Sequence, residues 1–163
     1  MSLWGALAGG VVGTIVLTSG LRIAQELGLT RMDIPLLLGT VFTDNRSRAS
    51  VIGYAVHFVN GLLFAVGYYA IFRAVDHAGW IFGAVLGVVH ASFSGGALVT
   101  VLLPAVHPRM GTPWSDSEET PILEPPGFML VNYGRRTAVW TLLVHVAYGA
   151  IVGGFAAHLS WRF

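Results

Sequence analysis

The sequence predicts an all-α membrane protein with four transmembrane helices, and three observations carry that reading. Hydrophobic residues make up 55% of the 163-residue chain and charged residues only 10%, against about a quarter charged in an average soluble domain. Four apolar runs are long enough to cross about 30 Å of hydrocarbon, which takes about 20 helical residues. Arginines and tryptophans gather at the ends of those runs, where membrane interfaces favour them. The mean hydropathy of +0.70 agrees.

The first run, Leu3–Leu21, follows Met1 and Ser2 directly. No basic segment or small-residue cleavage pattern accompanies it, so it is expected to be a retained helix and not a removed leader. Residues 22–48 form the first connection, which contains the apolar stretch Met32–Gly39 with Pro35 inside it. That stretch is too apolar for an ordinary loop and is expected to be an interfacial or shallow re-entrant segment. The second run, Ala49–Phe72, leads through a short turn holding Asp76 and His77 into the third, Trp80–Val106. The third ends at Leu103-Pro104-Ala105-Val106-His107-Pro108, where the prolines are expected to kink and then stop the helix. Residues 107–136 are the one long polar stretch, with Asp116, Glu118, Glu119, Glu124 and four prolines between Pro113 and Pro126. Irregular structure, functional or used for docking, is expected there. The last run is Thr137–Ser160.

Arg22, Arg31, Arg46, Arg48, Arg109, Arg135 and Arg136 fall at or within the first and third connections, and only Arg73 and Arg162 lie at the other end. The positive-inside rule then predicts cytoplasmic connections 22–48 and 107–136 and both termini outside, as in a bacterial inner membrane. Trp4, Trp80 and Trp161 would share the outer interface.

A displacement of 88 residues aligns Gly39 with Gly127, Arg48 with Arg136, Val51 with Val139, Val56 with Val144, His57 with His145 and Gly61 with Gly149. A displacement of 78 aligns Gly5-Ala6 and Gly9 with Gly83-Ala84 and Gly87. The expectation is a 2+2 parallel internal repeat of a helix-loop-helix unit, its axis along the membrane normal.

Small residues recur at every fourth position: Gly79, Gly83 and Gly87 on the third span, Gly53 and Gly61 on the second, Gly149 and Gly153 on the fourth. In lipid such stripes allow close backbone approach and helix packing.

The candidate site is histidine. His57 lies nine residues inside Arg48 and His145 nine inside Arg136, which puts both about 13 Å into the membrane at 1.5 Å per residue. His90 sits mid-span on the third helix. Ionisable residues at membrane depth usually face the bundle interior and mark functional sites. Small residues one turn from His57 (Gly53, Gly61) and from His145 (Thr141, Gly149) suggest a flat slot, so His57 and His145, with His90 assisting, could ligate haem b or a chlorin. The same three residues could instead bind a bare metal ion through nitrogen, line a proton or substrate path, or hydrogen-bond between helices to Asn60, Ser92, Ser94, Thr14 or Tyr148. His107 with Glu118, Glu119 or Glu124 is a further candidate metal site, at the surface. Arg22 and Glu26 are spaced to pair on one helix face.

Composition excludes other classes. With net charge +1 and nine scattered arginines as the only basic residues, nothing here fits nucleic acid. Absence of cysteine removes disulfides, thiolate metal sites and cysteine nucleophiles.

In the segments Leu103–Met110, Pro126-Gly127-Phe128 and His145-Val146-Ala147-Tyr148-Gly149, the chain resembles a group of small bacterial four-helix membrane proteins. The resemblance spans most of the chain. It implies the same membrane architecture and brings no activity, cofactor or catalytic residue with it.

With no nucleophile and base set and little mass outside the membrane, the sequence points first to a non-catalytic membrane subunit or scaffold of a larger complex of bioenergetic type. It would contact lipid and either other membrane subunits or copies of itself. A cofactor-carrying membrane protein is the alternative, and a small transporter or channel the second.

Overall fold

The computed structural model describes residues 1–111 and 123–158. Among them the chain is helical, and four helices are long and apolar enough to cross a membrane: Leu3–Glu26, Arg46–Ala74, Trp80–Val106 and Thr137–His158. They are called the first to fourth spans below. The acidic residues Asp116, Glu118 and Glu119, together with Ser160, Trp161 and Arg162, lie outside the described residues.

Each span begins and ends where local chemistry allows. Ser2 caps the first, its hydroxyl accepting from the Gly5 amide at 3.2 Å, and Asn45 caps the second by accepting from the Arg48 amide at 3.0 Å. Such caps satisfy amides that a helix leaves unpaired in its first turn. The apolar stretch of the first connection folds into a short helix, Ile34–Gly39, capped by Asp33 on the Leu36 amide at 3.0 Å. It lies flush on the second span, because a Cβ on Gly53 would run into the Pro35 carbonyl and one on Gly39 into the Ala49 carbonyl.

The third span departs from expectation in one respect. Its helix passes through Pro104 and stops at Val106, but the irregularity lies earlier, as a π-helical stretch over Ser94–Leu102. Pro104 has no N–H and its ring crowds the carbonyl four residues back. The Gly95-Gly96 pair offers little resistance to widening the helix at that point. The Thr100 hydroxyl bonds within the widened turn to the Gly95 carbonyl, and reaches the Gly127 carbonyl at 3.1 Å.

Spatially the spans form an arc in the order second, first, fourth, third. Glycines set the closest joints. On the seam between the third and fourth spans, Gly83 meets the Gly149 carbonyl and Gly149 meets that of Gly83, while Gly153 meets that of Gly79 and Gly87 that of His145. Gly5 and Gly9 bring the first span against Phe155 and Val152 of the fourth, and Gly61 of the second span receives Thr14 of the first.

The second and third spans, at the two ends of the arc, make only side-chain contact. Phe72 meets Phe82 at a ring-centroid distance of 5.8 Å, Tyr68 meets His90 at 5.8 Å, and Phe64 stacks on His90 at 3.8 Å. The packing around the arc is thus unequal, since the first and fourth spans meet along backbone and the second and third do not.

Both long connections lie at one end of the molecule and interlock. The Arg31 amide donates to the Tyr133 carbonyl at 2.7 Å, and the buried hydroxyls of Thr30 and Thr137 share a 2.7 Å hydrogen bond. The Arg31 side chain pairs with Glu124 at 3.1 Å and also bonds the Asn132 carbonyl.

Candidate functional site

The arc leaves a cavity of about 350 Å³ on its concave side, and His57, His90 and His145 all line it. The π-helical half of the third span forms one wall, through Ser94, Leu98 and Leu102. The second span forms the other, through His57, Asn60 and Phe64. Beneath them Thr14, Thr141 and Tyr148 come from the first and fourth spans, and Leu38 of the short helix stands at the loop end.

At the fourth span, His145 is 8% exposed and its Nδ1–H donates to the Thr141 carbonyl one turn earlier at 2.7 Å. With Nδ1 committed, Nε2 of the neutral ring carries the lone pair. His90 meets His145 edge to face at 4.7 Å between centroids and shares a 3.4 Å hydrogen bond with the Tyr68 hydroxyl. Tyr148, fully buried, donates its hydroxyl to the Gly61 carbonyl at 2.5 Å.

Among the described residues, two buried polar atoms on residues that line the cavity have no partner. They are His57 Nδ1 and the hydroxyl of Thr141, a residue only 5% exposed. A buried polar group left unpaired costs about 1–3 kcal/mol, and a helical threonine ordinarily bonds the carbonyl four residues back, as Thr14 does with Gly10 at 2.7 Å. Thr141 forgoes this, although its residue lines the cavity and a second hollow beside Ala91 and Leu142.

The three sequence-predicted histidines therefore share one space. His90 and His145 rings touch, so no planar ring passes between those two, whereas the pair expected to ligate a macrocycle is His57 and His145. The glycines read as slot walls are occupied by protein backbone and side chains, Gly53 by Pro35, Gly61 by Thr14, and Gly149 and Gly153 by the third span. Among the described residues no three histidine or carboxylate side chains are grouped to hold a metal ion, so the bare-metal set His57, His90, His145 is not assembled. The hydrogen-bond partners also differ from the expected ones, being the Thr141 backbone and Tyr68.

His107 takes a different part from the surface metal site expected of it. It is 4% exposed, accepts from the Arg109 amide at Nδ1 (3.0 Å), and donates from Nε2 to the Leu37 carbonyl (3.1 Å), beside the Thr40 hydroxyl. The Arg109 guanidinium donates to the Thr40 carbonyl at 2.7 Å. Together they latch the end of the third span to the short helix. Burial is the main cause that holds the His107 pKa below its ordinary value, opposed by the bond to Leu37 and assisted by the Arg109 charge. The Glu124 carboxylate, one of its three expected co-ligands, pairs with Arg31, and the other two, Glu118 and Glu119, lie outside the described residues.

No protein-family model, curated protein or solved structure matches this chain. What the site can do therefore rests on its own geometry. It offers an apolar, chamber-like space with a few convergent polar atoms, the usual make-up of a small-molecule site, near the lower end of the ~300–1,000 Å³ range for such pockets.

Proposed function

We propose that this chain is a membrane-embedded binding protein that holds a small apolar molecule in the histidine-lined cavity, a form of the cofactor-carrying reading in which the ligand is not a macrocycle. The observation that carries it is the pair of partnerless polar atoms, His57 Nδ1 and Thr141 Oγ1, buried on two residues that line a space of about 350 Å³. A rotation of either side chain towards an occupant with hydrogen-bonding groups would satisfy them. The second and third spans are bridged only by side chains, so the cleft faces hydrocarbon and the molecule would enter from the bilayer.

Extraction of the purified protein followed by mass spectrometry tests this. A single apolar compound at near one-to-one ratio is expected in the wild type, and it should be missing from Val99→Trp, because Val99 lines the cavity from the third span and an indole there would fill it. Equal lipid background in both would overturn the reading.

A non-catalytic subunit remains the second reading, favoured by the unequal burial of the spans. In the most apolar 18-residue stretch of each, 22% of the residues are buried in the second and third spans, against 44% and 39% in the first and fourth. A partner helix seated in the cleft would cover them, and a stoichiometric co-purifying protein in place of the small molecule would decide for it.

We further infer that the interlocked loop end is cytoplasmic, from the seven arginines at the first and third connections. The cysteine-free chain makes single-cysteine labelling from either side a direct check. The parallel duplication stands as an inference from matched residues and from the shared plan of each half, a long helix, a connection containing a short helix, and a second long helix.

A further inference from the structure

We propose that the bound molecule carries a neutral hydroxylated aromatic head of phenol or quinol type, whose O–H donates to His145 Nε2. The proposal rests on the cavity being a ligand site and specifies what the site selects.

Four features converge on this chemistry. First, the Thr141 carbonyl holds Nδ1–H of His145 at 2.7 Å, which leaves Nε2 as an acceptor in search of a donor. A ketone or ether alone cannot serve it. Second, Thr141 Oγ1 lies one helical turn from His145 and is buried without a partner, so on the same helix face a turn of its hydroxyl towards the cavity lets it donate to the oxygen whose proton His145 accepts. A second ring oxygen could engage His57 Nδ1, which is likewise free.

Third, the space around these atoms is lined by rings. Phe64 is stacked on His90 at 3.8 Å, His90 is edge-on to His145, and Tyr148 lies 5.4 Å from His90. Aromatic groups pack there in offset or edge-to-face geometry. Fourth, among the described residues no carboxylate, arginine or lysine lines the cavity. A phosphate, carboxylate or ammonium head would be buried with no fixed counter-charge, at a desolvation cost that hydrogen bonds alone do not return. The remainder of the cavity, towards Leu98, Leu102, Val106, Ile34 and Leu38, is apolar and suits an alkyl or isoprenoid tail.

Four probes separate the classes in detergent-solubilised or nanodisc-embedded protein: decylubiquinol under anaerobic reduction, its oxidised quinone, dodecanol and lauric acid. Imidazole ¹⁵N spectra report on His145. Decylubiquinol is expected to shift the Nε2 resonance and to bind roughly tenfold or more tightly than the quinone, because a site built around a hydroxyl rejects an analogue lacking it. Thr141→Val should weaken quinol binding and leave the fold intact, since that hydroxyl has no protein partner to lose. His145→Leu should abolish the preference between quinol and quinone.

Equal affinity for quinol and quinone, tighter binding of dodecanol or lauric acid, or an unchanged Thr141→Val affinity would overturn the proposal. If one of those other probes binds and Val99→Trp excludes it, the ligand site survives and only the head chemistry falls. If no probe binds and nothing co-purifies, both fall.

Discussion

The seam between the third and fourth spans and the cleft between the second and third use similar sequences to opposite ends. Along the seam, Gly79, Gly83 and Gly87 face Gly149 and Gly153 so closely that backbone meets backbone. Across the cleft the large side chains Phe64, Tyr68 and Phe72 hold the helices apart and reach only His90 and Phe82. In lipid, helices gain nothing from hydrophobic exclusion and associate by fit. A stripe of glycines therefore closes a joint, while a stripe of rings props one open, and the histidine cavity is what the propping leaves.

The comparison breaks most sharply at the seam. Gly83→Leu drives a side chain into the Gly149 backbone, which has no rotamer to yield, so a loss of about 3 kcal/mol or more is expected. Unfolding of the variant in mixed micelles measures it. By contrast, Gly67→Ala on the second span meets open space and removes a poor helix former, for a gain of under about 1 kcal/mol.

Intermediate effects come from the groups that hold the cleft in shape. His107→Ala takes away an acceptor for the Arg109 amide and a donor for the Leu37 carbonyl, at about 1–3 kcal/mol for the groups left unpaired. The same latch is sensitive to pH. Because burial lowers the folded pKa of His107 below its unfolded value near 6.5, the unfolded chain takes up the proton first. The latch thus contributes fully above about pH 6.5 and is lost progressively as pH falls towards the folded pKa. Hydrogen exchange at the Arg109 amide, corrected for its intrinsic pH dependence, should quicken on acidification in the wild type and not further in His107→Ala. Tyr148→Phe is the mildest of the losses, since an interhelical hydrogen bond within a membrane averages about 0.6 kcal/mol.

The spans were legible because length and hydropathy alone dictate them, and the third span's expected bounds coincide with those observed. The matched depth of His57 and His145 likewise pointed to one level of the membrane, and the structure brings both to one cavity with His90. The π-helical turn left no such signal, since Ser94–Leu102 reads as ordinary apolar helix and its distortion arises from Pro104 two residues beyond. Misreading the slot had a similar origin. Spacing shows that Gly53 and Gly61 flank His57, but not that Pro35 and Thr14 already fill the space they leave. The burial of His107 has no sequence signal, because its closest partners are the Arg109 amide and the Leu37 carbonyl, which carry no side-chain signature.

For the proposed binding role, the depth of the histidines has a consequence for how a guest would load. His57 and His145 lie about 13 Å from the loop end at helical rise, within the nearer half of a core about 30 Å thick, and the space runs from them towards Leu38 and Val106. Loading would then draw on one leaflet only. An uncharged guest that enters and leaves sideways crosses no part of the membrane potential, so the traffic would be electrically silent and governed by the composition of that single leaflet.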